Sequence, residues 1–218
     1  MGWELTLRSP TGAFVKTVTH ETPLNPIMAP IDVVLDAGGR TNSINIRARN
    51  DLLHAPPRGV IEYKAWNDRP LTFQGQPVTF EGRRVKVQDN YEPLAAGVIV
   101  TSPPLTSPGS GPADRDADAL DRITAEGLER LLRERIIGTS IWGDTDVATI
   151  AYMVCQAHAH PALVVAAKNF PATGHHLGVF YVPEKTLADA LDGLIATLPN
   201  GGRWHVNSRR EIVFLGGA

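Results

Sequence analysis

The last thirty residues constrain the fold most, because they predict a helix that packs on a β-hairpin. Apolar side chains recur there at helical spacing, at Leu187, Leu191, Leu194, Ile195 and Leu198. Thr186 and Asp189 are spaced as in a capping box, with Asp in place of the usual Glu or Gln, so the helix begins after Thr186. Pro199 and the glycines that follow it end the helix.

Two short alternating segments follow this helix and predict the hairpin. Trp204 and Val206 share one face of the first segment, and Ile212 and Phe214 share one face of the second. The polar run at residues 208–210 supplies the turn. The predicted unit is structural, because none of its residues is arranged for chemistry.

The first hundred residues predict many short strands separated by turns. The expected strands are residues 3–8, 13–19, 31–35, 43–48, 60–66, 71–74, 85–87 and 97–101. Closure of a sheet removes its exposed edges, so this pattern favours a closed or partly closed antiparallel barrel over a flat sheet. Residues 1–101 are therefore expected to form an antiparallel β-barrel-like domain.

A stretch rich in proline, serine and glycine at residues 102–121 predicts a linker or a long loop, and marks the domain boundary. Residues 122–218 predict a smaller α/β domain that ends in the helix and β-hairpin. A strand is expected at residues 122–125 and a short helix at residues 127–135. A second helix, capped by Asp144 or Thr145, is expected to run to about His158. The fold class is therefore α+β.

Composition excludes several classes of protein. The formal net charge of −2 and a pI near 6.4 predict no general attraction to nucleic acid or anionic lipid. The basic run at residues 130–135 is interleaved with acids, as is typical of a solvated helix face. Cys155 lies on the apolar side of a predicted helix and is expected to be a buried, inert thiol. No signal peptide and no apolar stretch of membrane-spanning length is found, so no membrane insertion is expected.

The histidines form the one reactive-looking cluster in the sequence. His158 and His160 lie near the end of a predicted helix, and His175 and His176 are adjacent in a predicted loop. Neither pair has the i, i+4 spacing of helical metal ligands, and no His-Glu-x-x-His motif is present. No Gly-x-Ser-x-Gly motif and no phosphate-binding loop is found either. No catalytic residue, metal ligand or cofactor is therefore predicted.

The order of these elements resembles that of the tail-hub, or baseplate-hub, family of minor tail proteins of long-tailed bacteriophages. The segments that carry the resemblance are residues 3–7, 36–39, 43–52, the Ser/Pro/Gly loop with residues 125–132, residues 146–151, and the terminal helix with its Trp204 hairpin. The similarity spans nearly the whole chain and is one of element order and texture. It implies a β-barrel-like hub domain followed by a second hub domain.

The resemblance also implies a non-enzymatic function in assembly. Hub proteins form trimeric rings with pseudo-sixfold symmetry, which join the tail tube to distal tip proteins. The expected partners are further copies of this chain and the distal tail, tape-measure and tip proteins, with DNA only in transit through the lumen. The expected location is the virion tail, and the host cytoplasm during assembly. Within the 102–121 loop, Asp114 and Arg115 are expected at an interface between subunits.

Two other functions stay open on the sequence. One is a metal-dependent hydrolase, such as a cell-wall peptidase, that uses the histidine cluster; the missing ligand motif weighs against it. The other is a carbohydrate- or receptor-binding β module. The four tryptophans weigh against that function, because they are dispersed along the chain at positions 3, 66, 142 and 204. The sequence also leaves open whether the chain is a short hub protein or part of a longer one.

Overall fold

The computed structural model describes most of the chain outside the Ser/Pro/Gly segment. The described residues are 2–22, 27, 31–35, 41–49, 55–66, 69–70, 72–73, 76–77, 79–80, 83–84, 86–87, 93–101 and 120–217. Antiparallel strands dominate this part of the chain, together with three α-helices, which confirms the α+β class.

A seven-stranded sheet and a set of two-residue strands make up the first part of the chain. In chain order the strands are β1 (Gly2–Arg8), β2 (Phe14–Thr19), β3 (Asp32–Leu35), β4 (Thr41–Arg49), β5 (Val60–Trp66), β6 (Arg69–Pro70), β7 (Thr72–Phe73), β8 (Gln76–Pro77), β9 (Thr79–Phe80), β10 (Arg83–Arg84), β11 (Lys86–Val87), β12 (Ala95–Thr101) and β13 (Leu120–Gly127). The sheet has the order β2-β1-β5-β12-β13-β4-β3, and every pairing in it is antiparallel.

The second part of the chain is mixed. Its elements are α1 (Arg130–Arg133), β14 (Ile136–Ile137), β15 (Ser140–Asp146), α2 (Val147–His158), a 3₁₀ turn (Ala167–Asn169), β16 (His176–Val182), β17 (Lys185–Thr186), α3 (Leu187–Thr197), β18 (Gly202–Val206) and β19 (Ile212–Gly216). Its strands form the pairs β14–β17, β15–β16 and β18–β19.

A closed barrel, one of the two forms that the sequence predicts, is not found in the described residues; the partly closed form stays a prediction for the seven-stranded sheet. Its two edges are β2 and β3, which are not paired with each other. The barrel was expected because closure removes exposed edges. This chain instead keeps the edge strands short, at six and four residues, which also limits the exposed backbone.

β13 completes the first sheet from beyond the Ser/Pro/Gly segment. It pairs with β12 on one side and with β4 on the other. Ile123 and Ala125 of β13 are almost fully buried in the same core as Ile46 and Ile99. The sequence predicts that residues from 122 onward belong to the second domain, whereas β13 is hydrogen-bonded to strands of the seven-stranded sheet. The limits of the two domains stay a prediction.

The two faces of the sheet contribute to two hydrophobic cores. Successive side chains of a strand point to opposite faces, and Val60 and Ile61 of β5 do so. Ile61 packs in a core formed mainly by strands of the sheet, together with Ile27 and Ala55. Val60 packs in the second core, together with Val98 of β12, the helices and the terminal hairpin. The sheet and the second part of the chain therefore share buried apolar surface.

The sequence predicts the N-terminal cap of α3 correctly but assigns the cap of α2 to the wrong residue. Thr186 caps α3 as expected: its hydroxyl accepts from the Asp189 N–H at 3.1 Å and donates to the Asp189 carboxylate at 2.6 Å. Asp146, and not Asp144 or Thr145, caps α2, because β15 continues through residue 146. α1 is shorter than predicted, since β13 occupies residue 127 and β14 begins at residue 136.

The terminal helix and hairpin are confirmed. Trp204 pairs with Phe214 and Val206 with Ile212, and all four side chains are buried. The Trp204 indole N–H donates to the Asp192 carboxylate of α3 at 2.7 Å, which fixes the hairpin against the helix. None of the helices in the described ranges combines the length and the apolar character that a membrane crossing requires.

Candidate functional site

The β15–β16 ribbon carries the most exposed apolar side chains in the described part of the chain. Ile141 pairs with Tyr181 and Gly143 with Val179, so these residues lie on one face of the ribbon. Ile141 is 71% exposed, Val179 73% and Tyr181 55%. We call these three residues the ribbon face. A contiguous exposed apolar surface of this kind is typical of a site of protein–protein contact.

The opposite side of the same ribbon is held by the second core. Val182 is fully buried there, and Trp142 and Phe180, which pair with each other, pack against the core. One side of the ribbon is therefore fixed by packing while the other presents apolar side chains to solvent. Sequence reasoning missed β15 of this ribbon, because the pattern predicts a helix cap at residues 144–145. Residues 140–146 show no regular alternation of apolar and polar side chains, so no local pattern marks this strand.

The two edges of the seven-stranded sheet form a second candidate surface. On β2, Phe14 is 64% exposed and Val15 47%. On β3, Val34 is 47% exposed and Leu35 38%. An edge strand offers backbone N–H and C=O groups that another strand can pair with. In the described part of the chain, each end of the sheet therefore combines a strand that has a single partner strand with exposed apolar side chains.

A buried ionic cluster joins the sheet to the terminal hairpin. The Glu62 side chain of β5 is 7% exposed, and it accepts from Arg8 Nε at 2.9 Å and from Arg8 Nη2 at 3.1 Å. Arg210, in the β18–β19 turn, brings its Nε to 2.6 Å from the same carboxylate. Arg210 Nη1 also donates to the Ala162 carbonyl at 2.9 Å. Arg8 is therefore hydrogen-bonded to Glu62 by two N–H groups, whereas Arg210 Nε makes an ion pair with it that lacks hydrogen-bond geometry.

Sequence reasoning could not find this cluster. Glu62 and Arg8 lie on alternating strands, where charged residues usually face solvent, and Arg210 was assigned to a polar turn. The cluster has a structural role, because its polar atoms face each other and the backbone of residue 162. Burial lowers the pKa of Arg210, and the adjacent carboxylate opposes that shift.

Asp146 holds the loop before β16 against the start of α2. One of its carboxylate oxygens accepts from the Ala148 N–H at 2.9 Å. The other accepts from the Thr173 N–H and hydroxyl, both at 3.0 Å, and from the Gly174 N–H at 2.8 Å. Burial alone would raise the pKa of Asp146, but the hydrogen bonds from these three residues lower it below its ordinary value.

The structure does not bring the two histidine pairs together. His158 ends α2, whereas His176 pairs with Asp146 at the other end of that helix. At about 1.5 Å of rise per residue, the two ends are about 18 Å apart. Among the residues the structure describes, no group of three or more His, Cys, Asp or Glu side chains could hold a metal ion.

Two of these histidines make contacts that hold the fold, His160 through its side chain and His175 through its backbone. His160 Nδ1 accepts from the Ala162 N–H at 3.1 Å, and burial together with Arg135 lowers the pKa of His160. The His175 carbonyl accepts from the Val147 N–H at 3.0 Å. The prediction that Cys155 is buried is confirmed, and burial raises its pKa to about 12, which keeps the thiol protonated and unreactive.

The expected interface residues Asp114 and Arg115 lie outside the described residues, as does the rest of segment 102–119. Their role stays a prediction.

Comparison of the chain with protein-family models and with curated proteins finds no match.

Proposed function

We propose that this chain is a structural subunit of a phage tail tip or a tail-like particle. In this proposal three copies form a hub ring that joins the tail tube to distal tip proteins. The observation that carries the proposal is the open seven-stranded sheet, which ends in β2 on one side and in β3 on the other. The resemblance in element order supplies the class of particle.

A closed ring of identical subunits needs two different surfaces on each copy, which meet head to tail. The two edges of the sheet meet this requirement. Val15 of β2 and Val34 of β3 are each 47% exposed, and each belongs to a strand that pairs on one side only within the described part of the chain. Strand addition between copies would cover both edges and extend the antiparallel pairing from one subunit to the next.

The ribbon face supports the proposal as a separate contact surface. It belongs to a different part of the chain from the sheet edges, and its apolar side chains suit burial against another protein. In a hub it would receive a neighbouring tail protein above or below the ring. A subunit that contacts its own copies and other proteins at once needs separate surfaces for the two tasks.

Substitutions at the sheet edges test the proposal. Val15→Lys and Val34→Lys each place a charge on an edge strand, which opposes strand addition. We expect native mass spectrometry to show trimers for the wild-type chain at high concentration and monomers for each variant. Ala157→Lys, on the exposed surface of α2, is the matched control and should still form trimers. Oligomers that form equally well in all three variants would contradict the role of the edges.

A further inference from the structure

The fold extends the basic run at residues 130–135 by residues from two other segments. Arg135 follows α1, and its Nε donates to the carbonyl of His158 at 3.0 Å. His160 lies two residues beyond His158 in the chain. Arg58, from the loop before β5, reaches Glu134 with its Nη2 at 3.6 Å. We call Arg58, Arg135 and His160 the basic patch.

Two contacts bring the members of the basic patch to one place: Arg58 reaches Glu134, the residue before Arg135, and Arg135 bonds to the backbone two residues before His160. Burial is the main cause of the lowered pKa of His160; Arg135 and Arg58 add to it, and Glu134 opposes them. The Glu134 carboxylate is already held by Arg130, whose Nε lies 2.7 Å from Oε1. Glu134 is therefore shared between Arg130 and Arg58 and neutralises their charges only in part.

Arg58 is presented to solvent by a turn that does not favour arginine. The Gly59 N–H donates to the Pro56 carbonyl at 2.9 Å, which closes a β-turn around Pro57 and Arg58. Arg58 has a φ of 60°, a conformation that favours glycine or asparagine at this third turn position. Its backbone N–H is bonded to the Ile99 carbonyl at 3.2 Å, and its side chain is 77% exposed. A strained position that carries an exposed charge indicates a role for that charge.

Within the described part of the chain, the hydrogen bonds of the basic patch use only some of its N–H groups, so others can donate to a ligand. The bond from Arg135 to His158 uses only Nε of the guanidinium. His160 Nδ1 is occupied as an acceptor by the Ala162 N–H, so the neutral ring carries its proton on Nε2. The ion pair of Arg58 with Glu134 is long, at 3.6 Å, and lies at the surface. Two guanidiniums and an imidazole N–H form a set of donors suited to carboxylates.

We propose that the basic patch is a docking site for an acidic polypeptide segment of a partner protein. One observation favours carboxylates over the phosphates of nucleic acid: the patch is compact, whereas a nucleic-acid strand is followed by an extended series of cations. The inference does not depend on the hub proposal, because it rests on the patch alone.

The test measures fluorescence anisotropy of a labelled hexaglutamate peptide with the full chain at low ionic strength. Arg58→Gly and Arg135→Gln should each weaken binding by about threefold, and the double variant by about tenfold. Arg203→Gln, which makes the same charge change on the exposed part of β18, is the matched control and should bind as the wild type does. Added salt should weaken the wild-type complex.

Arg58→Gly separates docking from folding. Glycine adopts a φ of 60° more readily than arginine, so the melting temperature of this variant should stay level or rise while its affinity falls. No binding of hexaglutamate to the wild type would overturn the proposal, as would affinities that are equal in all variants. Tighter binding of an oligothymidylate of equal charge, lost in the same variants, would also overturn it and assign the patch to nucleic acid.

Discussion

Glu62 and Glu134 each contact two arginines, but they differ in burial and in the segments that they connect. The side chain of Glu62 is 7% exposed, and it joins β1 and β5 of the sheet to the turn of the terminal hairpin. The side chain of Glu134 is 38% exposed, and its shorter contact is with Arg130, four residues earlier in the chain. The first cluster fixes the architecture, whereas the second leaves Arg58 at the surface.

The difference shows how the same residue types acquire different roles. A buried ion pair is costly to break, because removal of one partner leaves an uncompensated charge away from water. A surface ion pair contributes little to stability, because water and salt screen it. Residue type therefore says little about the role of an arginine in this chain; its burial and its partners say more.

The largest effect should come from Glu62→Gln. This substitution removes the charge that faces Arg8 and Arg210 and should lower the free energy of unfolding by about 3 kcal/mol. Urea denaturation followed by circular dichroism measures the change. A loss no greater than that of Glu134→Gln would show that the buried cluster does not hold the hairpin turn to the sheet.

Asp146→Asn should have an intermediate effect, because this carboxylate is buried but is bonded to neutral groups. Weakening its bonds to Thr173, Gly174 and Ala148 should cost about 2 kcal/mol near neutral pH. Since folding lowers the pKa of Asp146, its contribution is full above the ordinary carboxyl pKa of about 4 and is lost as pH falls through the lower value. The difference between wild type and variant should therefore shrink in acid. A difference that is constant with pH in denaturation series would contradict this assignment.

The smallest effect should come from Glu134→Gln. It should cost about 0.5 kcal/mol in low salt and less in high salt, because the pair with Arg130 is exposed and screened. Glu62→Gln should cost nearly the same at both salt concentrations. Denaturation curves of both variants at two salt concentrations measure this difference. An equal salt dependence in the two variants would contradict the distinction between the buried Glu62 cluster and the exposed Glu134 pair.

Local patterns predicted the terminal unit well. The spacing of Leu187, Leu191 and Leu194, and the pair of Thr186 and Asp189, give the helix and its cap directly, because both depend on neighbours within one or two turns. Trp204 and Phe214 give the hairpin for the same reason. These features are encoded within about thirty residues of sequence.

Long-range features were not predictable in this way. Whether the sheet closes depends on the relation of β2 to β3, and the place of β13 depends on strands on the far side of segment 102–119. β15 was missed because Asp144, a common cap residue, lies within it, where it has a φ of 47°. The cluster at Glu62 joins residues far apart in the chain, and no local pattern records such a contact.

Electron microscopy of the purified chain at high concentration tests the central claim most directly. Class averages should show rings with threefold or pseudo-sixfold symmetry and an open lumen, and these rings should be absent for Val34→Lys. Twofold dimers, or compact monomers at every concentration tested, would contradict a hub ring built from the two edges of the sheet.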